Sequence, residues 1–125
     1  MQSLPAREVV QAWHDALNGA DPDSVLALSH PAIEIVGPLG SGFGLDLLRR
    51  WLDQTRVQLV PKRWYEEGNV VVVEEDATWR SPESGEVVGR AEVASVFHVR
   101  EGRVSYYARF DALAAALSHA GIGRA

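Results

Sequence analysis

Residues 57–111 read VQLVPKRWYEEGNVVVVEEDATWRSPESGEVVGRAEVASVFHVREGRVSYYARFD, and this stretch decides the fold. Short segments rich in glycine, asparagine, serine and proline divide it, as hairpin turns do. The runs between those turns have strand-like composition: Val57–Glu67, Val70–Arg80, Val87–Arg100 and Arg103–Asp111. Pro61 has no amide hydrogen, so the first run is predicted to be bent or to lie at a sheet edge. The stretch therefore predicts a long antiparallel meander.

Helical patterns dominate the residues before this meander. Apolar residues recur at helical spacing after Pro5, and a second, shorter helix is predicted to begin at Asp21-Pro22. A short strand at Ala32–Val36 precedes a third helix, whose apolar face carries Leu45, Leu48, Trp51 and Leu52. Ala112–Ala120 is predicted to form a closing helix that Gly121 caps. This order predicts one α+β domain over residues 1–125, with N-terminal helices packed on a curved, mostly antiparallel sheet.

The composition excludes several classes of protein. The chain has no cysteine, which removes disulfides and thiolate chemistry, and its four histidines lack metal-ligand spacing, so no metal site is predicted. A net charge of −5 argues against nucleic acid as the main partner. The sequence shows no long apolar run and no N-terminal signal pattern. We therefore expect a cytoplasmic protein that has no membrane or nucleic-acid partner.

Two segments resemble a known superfamily. Residues 9–18, VVQAWHDALN, are similar to the opening of ketosteroid isomerases. Residues 96–104, VFHVREGRV, together with Arg109-Phe110-Asp111, resemble the last hairpin of SnoaL-like proteins and limonene epoxide hydrolases. Over nearly its whole length the chain looks like a member of the nuclear transport factor 2-like (SnoaL-like) superfamily. The resemblance implies a cystatin-like cone around a small apolar pocket that works without a cofactor. Because members include isomerases, cyclases, hydrolases and binding modules, the fold alone does not decide the function.

The resemblance assigns roles to only some positions. Where the isomerases have a tyrosine, a general base and a protonated acid, this chain has Trp13, Gly37 and Ser95. Trp13 and Ser95 can each donate a hydrogen bond to a ligand, but glycine cannot abstract a proton. Steroid isomerisation by that mechanism is therefore not expected. Asp111 matches an aspartate of the epoxide hydrolases, whose arginine and second aspartate are not reproduced.

Glu75 is the strongest candidate for a catalytic residue. In the run Val70–Arg80 it shares a face with Val71, Val73, Ala77 and Trp79, and the rest of that face is apolar. A carboxyl group that lines an apolar pocket suits a general acid or base. The alternative is structural: the sheet twists near this point, or Glu75 pairs with an arginine.

Further candidates lie on the last strand and among the tryptophans. Tyr107, Arg109 and Asp111 share a face that the resemblance places inward, and Arg109 beside Asp111 can hold a carboxylate ionised. Glu75, Arg109 and Asp111 form the best acid–base constellation in the sequence. We therefore predict Glu75 and Asp111 as catalytic, and we predict the following residues as ligand-binding: Trp13, Trp79, Ser95, Tyr107 and Arg109. A polar network that merely closes the cone, with the tryptophans as ordinary core, remains the alternative.

Other residues receive simpler interpretations. His14 is expected at the pocket rim or the surface, because it lies about 100° around the helix from Trp13. His98 is expected to point outward. The glycine-rich segment Gly37–Gly44 lacks dinucleotide-binding spacing, and we expect it to form a flexible lip over the pocket mouth.

Three functions remain open from the sequence. The first is an enzyme that uses cofactor-free acid–base catalysis on a small hydrophobic substrate, as a hydrolase, isomerase or cyclase. The second is a module that only binds such a molecule. The third is a protein-interaction module, because apolar residues on the outer sheet face favour a homodimer: Val70, Val72, Ala94 and Val96.

Overall fold

The structure, a computed structural model, describes residues 5–37 and 40–122. Within these residues, four helices and six strands follow one another. They are α1 (Ala6–Asn18), α2 (Pro22–Ala27), β1 (Ser29–Gly37), β2 (Gly40–Phe43), α3 (Leu45–Thr55), β3 (Val57–Glu67), β4 (Val70–Arg80), β5 (Val87–Arg100), β6 (Arg103–Phe110) and α4 (Leu113–Ala120). The α+β class and the N-terminal helices on a curved sheet are confirmed. Among the described helices, none has the length and hydropathy that a membrane crossing requires.

All six strands belong to one sheet, in the order β2-β1-β6-β5-β4-β3. Every neighbouring pair is antiparallel except β1 and β6, which run parallel. The expectation for Pro61 is confirmed, since β3 is an edge strand and its register shifts between Pro61 and Arg63. A proline at an edge strand bulge removes no hydrogen bond from the sheet interior.

The main core lies between the inner face of the sheet and helices α1 to α3. Helix α1 runs along β3, and it buries Val9, Val10, Trp13, His14 and Leu17. Helix α2 begins where predicted: the Asp21 carboxylate accepts hydrogen bonds from the amide and the hydroxyl of Ser24, and these bonds lower the pKa of Asp21. An N-cap of this kind positions the start of a helix.

The glycine-rich segment is not the flexible lip that the sequence suggested. Gly40–Phe43 forms strand β2, which pairs with Glu34–Gly37 of β1. Gly42 approaches Leu47 of α3 so closely that an added Cβ would lie 2.2 Å from its side chain. The glycine there permits contact between β2 and α3, which is a packing role. Pro38 and Leu39 of the predicted lip lie outside the described residues.

The outer face of the sheet is covered in part by the chain itself. Val72, Ala94 and Val96 are fully buried in a second apolar cluster with Ala116 and Leu117 of α4. The expectation that these valines form a free dimerisation surface is therefore wrong, because the closing helix occupies it. Val70 is partly buried at the same cluster. His98 is on this face as expected, and it stacks on Tyr106 with the ring centroids 4.4 Å apart.

Candidate functional site

A buried carboxyl–imidazole pair lies at the centre of the main core. Glu75 projects inward from β4, His14 projects from α1, and both side chains are 0% exposed. Glu75 Oε2 lies 2.5 Å from His14 Nε2. The position of His14 corrects the expectation of a rim or surface residue. His14 belongs to the buried stripe of α1 because the apolar face of an amphipathic helix is at least 100° wide, which includes the residue next to Trp13.

The hydrogen bonds around this pair define where its protons are. The Val10 carbonyl lies 2.8 Å from His14 Nδ1 and can only accept, so Nδ1 carries a hydrogen. The Ser95 hydroxyl donates to Glu75 Oε1 over 2.6 Å. The gap between Nε2 and Oε2 then contains one proton, bonded either to the imidazole or to the carboxyl group. The pair is thus built to hold one proton between two groups.

Tyr107 adds a second hydroxyl group on the same side of the sheet. The residue is 3% exposed and lies on β6, one strand away from Ser95 on β5. Burial raises the pKa of Tyr107 above its usual value of 10, and the nearby Glu75 raises it further, while Ser95 and Arg109 act in the opposite direction. The phenol is therefore protonated at neutral pH and can donate a hydrogen bond.

Aromatic rings surround these polar groups. The His14 ring contacts Phe97 and Trp64, with centroids 5.2 and 5.8 Å away. Trp13 is fully buried beside them, and its indole donates to Ser29 Oγ over 3.0 Å. Ser29 in turn donates to the Val25 carbonyl. The indole hydrogen is thus used within the core. A polar network inside an apolar shell has strong internal interactions because the local dielectric is low.

A cleft of about 540 Å³ lies at one end of this core. Its walls come from the end of α1, the start of α2, the end of α3 and the turn between β4 and β5. Trp51 of α3 lines the cleft, and its ring also stacks on Trp13 and tilts against Tyr107, with centroid distances of 6.5 and 5.5 Å. Trp51 therefore lies between the open cleft and the aromatic shell of the buried pair.

The predicted site residues separate into three groups. Trp13, Glu75, Ser95 and Tyr107 are in the buried core. Arg109 and Trp79 lie together nearer the surface, with the guanidinium 5.1 Å from the indole centroid. Asp111 is exposed, and among the described residues it forms no hydrogen bond or ion pair with Arg109. The expected constellation of Glu75, Arg109 and Asp111 is therefore not assembled, because β6 ends at Phe110 before Asp111 can turn inward.

Two residues of this site were missed by the sequence analysis. His14 follows Val10 by four residues and precedes Leu17 by three, which is the spacing of a single buried stripe. That spacing was a signal that could have identified it. Trp51 was predicted to lie on the apolar face of α3, but no local pattern shows that it separates the core from a cleft.

Comparison with known proteins identifies the family and agrees with the fold. The family model of the SnoaL-like domain matches residues 10–107. The chain belongs to the SnoaL-like family. No curated protein matches the sequence at a significant level.

Similar solved structures share the fold at low sequence identity. An NTF2-like protein of unknown function from Cytophaga hutchinsonii is 18% identical, with a TM-score of 0.73 over 88% of this chain and 91% of that one. A cystatin fold protein from Novosphingobium aromaticivorans is 16% identical, with a TM-score of 0.74 over 86% and 99%. A protein with a ketosteroid isomerase-like fold from Catenulispora acidiphila, in complex with trimethylamine, is 18% identical, with a TM-score of 0.69 over 93% and 94%. These likenesses establish the nuclear transport factor 2-like, cystatin-like architecture.

Proposed function

We propose that this protein binds a small hydrophobic molecule and performs cofactor-free acid–base chemistry on it, with Glu75 as the catalytic residue. The reaction is of the hydrolase, isomerase or cyclase type. The observation that carries the proposal is the 2.5 Å contact between His14 Nε2 and Glu75 Oε2, held inside an aromatic shell. A general acid or base needs a proton-transfer group in a dry, positioned site, and this pair is such a group.

The hydroxyl groups supply the second part of the proposed chemistry. When Glu75 removes a proton from a bound molecule, negative charge develops on a nearby oxygen of that molecule. The Tyr107 hydroxyl is a donor close to Glu75, and a donor placed in advance stabilises such charge more strongly in an apolar interior than in water. The single hydrogen of the Ser95 hydroxyl is used on Glu75 Oε1, where it holds the carboxyl group in place. His14 keeps a hydrogen-bond partner on Glu75 in both protonation states, which makes it a positioning residue.

The proposed ligand reaches Glu75 from the cleft. Trp51 is only partly buried and lies between the cleft and the rings of Trp13 and Tyr107. Rotation of this one side chain would place a flat apolar molecule against Tyr107. The ketosteroid isomerase-like neighbour with bound trimethylamine supports small-molecule binding as a use of this fold.

Binding without chemistry is the second candidate function. Among the described residues, no buried side-chain nitrogen or oxygen lacks a hydrogen-bond partner. A fully satisfied network is what a purely structural polar cluster also requires. In that case the His14–Glu75 pair would orient α1 on the sheet, and the cleft alone would hold the ligand.

Glu75→Gln separates these functions. We expect a panel of small hydrophobic ketones, esters and epoxides to include a compound that the wild-type protein converts. Glu75→Gln should reduce that turnover by about a hundredfold or more, because general acid–base catalysis contributes on that order. Binding of the same compound, measured by calorimetry, should persist.

Asp111→Asn is the matched control, since it removes an exposed carboxylate that the sequence also placed in the site. If Asp111→Asn abolishes turnover while Glu75→Gln leaves it intact, the catalytic assignment moves to Asp111. A panel that binds but is not converted by the wild type supports the binding module instead.

A homodimer and a cytoplasmic location also remain proposals. Exposed apolar side chains that α4 leaves uncovered support a contact with a second copy: Phe43, Val60, Val87 and Val88. Sedimentation equilibrium tests this directly, and a monomeric mass over the micromolar range would contradict it.

A further inference from the structure

We infer that the cleft is a binding site for a small aromatic or otherwise flat apolar molecule that carries one carboxylate group. This inference rests on the proposed function in one respect, namely that the bound molecule then reaches Glu75. It adds the chemical class of the ligand, which the proposed function leaves open. Binding itself can be measured without any turnover.

The floor of the cleft suits an apolar body. Leu17 and Val25 are buried there, Val57 begins β3, and Trp51 presents part of its indole. A volume of about 540 Å³ lies within the range of small-molecule sites. Flat rings bind well against an indole because stacking adds to the burial of apolar surface.

Two arginines give the cleft its recognition chemistry. Arg56 follows α3 directly, is exposed, and forms no ion pair within the described part of the chain. The Arg80 guanidinium donates to Gln58 Oε1 and to the Gly85 carbonyl, which fixes its position without neutralising its charge. Arginine recognises carboxylates through paired hydrogen bonds from its planar group. Both arginines line the cleft, and the Arg80 amide donates to the Arg56 carbonyl, so the two side chains start from neighbouring backbone positions.

Three described residues other than glycine have a positive φ, namely Ala20, Glu101 and Arg56, and of these only Arg56 has a cationic side chain. Its φ of 45° and ψ of 42° place it in the left-handed region, at the position after a helix where glycine is favoured. A residue with a side chain adopts this conformation at an energetic cost that glycine does not incur. Strained backbone of this kind is concentrated at functional sites. We attribute the arginine at this position to its charge.

The acidic residues of the cleft limit the charge of the ligand. Asp21, Asp53 and Glu83 also line it. The Asp21 carboxylate accepts hydrogen bonds from Ser24 at the start of α2 and keeps its negative charge, so three acidic side chains face two arginines. These groups oppose a multiply charged anion such as a phosphate ester, because like charges at close range raise its free energy. Among anionic ligands, an apolar molecule with a single carboxylate at the two arginines meets the least repulsion from these acidic groups.

Calorimetric titration with 2-naphthoate and with its uncharged analogue 2-naphthamide tests the inference. The wild-type protein should bind the carboxylate more tightly than the amide. Arg56→Gly should weaken the carboxylate about tenfold, which corresponds to one charged hydrogen-bonded contact, and should leave the amide unchanged. Arg56→Lys keeps the positive charge and should give a smaller loss.

Arg56→Gly also carries its own folding control, because glycine relieves the left-handed backbone. Its midpoint of unfolding should equal or exceed that of the wild type, so weaker binding cannot be blamed on misfolding. The inference is overturned if naphthoate does not bind saturably, if the amide binds equally well, or if Arg56→Gly weakens both compounds alike. Glu75→Gln should bind naphthoate normally. If naphthoate binds as expected but the wild-type protein converts no compound of the panel, the proposed catalysis fails and the ligand inference stands. If the panel is converted in a Glu75-dependent way but naphthoate does not bind, the ligand inference alone fails.

Discussion

Glu75→Ala is expected to lower the free energy of unfolding by about 3–5 kcal/mol, the usual effect of removing one partner from a buried charged pair. The substitution removes the side-chain partner that His14 Nε2 has among the described residues, and it removes the acceptor of the Ser95 hydroxyl. The side chains of His14 and Ser95 are 0% exposed, so water cannot replace the lost contacts without opening the core. Equilibrium denaturation by urea at neutral pH measures the change.

Glu75→Gln is the matched control for this substitution. Its amide oxygen can accept from Ser95, and its NH₂ group can donate to His14 Nε2 while Nδ1 still donates to Val10. We therefore expect a loss within about 1 kcal/mol for glutamine. Equal losses for alanine and glutamine would mean that the hydrogen-bond network does not stabilise the fold.

Trp13→Ala is expected to destabilise the protein by about 3–5 kcal/mol, as large-to-small substitutions of buried aromatic residues do. The Trp13 ring is fully buried and contacts Trp51, Phe97 and Tyr107, with centroids 5.4–6.5 Å away. Alanine leaves a cavity at the centre of that cluster. Thermal and urea unfolding of the purified variant measure the loss.

Trp51→Ala provides the comparison for Trp13→Ala, since it removes the same side chain from the other half of the stacked pair. Trp51 is only partly buried and borders the cleft, so its loss should destabilise the fold less. A larger loss for Trp51→Ala than for Trp13→Ala would contradict the assignment of Trp13 to the core and of Trp51 to the cleft wall.

The sheet was the most predictable part of the fold. The bounds predicted for β3, β4 and β5 agree with the structure, because glycine-containing turns and a proline mark their ends locally. Asp21-Pro22 predicted the start of α2 for the same reason. Such signals depend on neighbours in sequence, and no tertiary contact is needed to interpret them.

Strand β2 and the position of α4 could not be predicted in this way. Gly40–Phe43 has poor strand propensity, and it is extended because β1 offers it an antiparallel partner. The outer valines showed that something apolar must cover that face. The sequence pattern of these valines is the same whether a second copy of the chain or one of its own helices packs on them. Here helix α4 packs on them.

The candidate site shows the same limit. Glu75 was identifiable because a carboxylate on an apolar strand face is unusual, and the structure places it inward. His14 was misjudged although its spacing fits the buried stripe of α1, because the carboxyl group that satisfies it in the core is 61 residues away in sequence. The spacing of Arg109 and Asp111 in the sequence predicted that they share one face of the last strand. In the structure Arg109 packs on Trp79 instead, a contact that no sequence pattern specifies.

The proton between His14 and Glu75 is tested most directly by ¹H and ¹⁵N NMR of the histidine side chains. In the wild type we expect a hydrogen on His14 Nδ1, bonded to the Val10 carbonyl, and a strongly downfield proton in the short contact between Nε2 and Glu75 Oε2. Glu75→Gln should eliminate the downfield proton and leave Nε2 as an unprotonated acceptor. A His14 ring that exchanges freely with solvent, with a spectrum unchanged by Glu75→Gln, would contradict the buried proton-sharing pair on which the proposed chemistry depends.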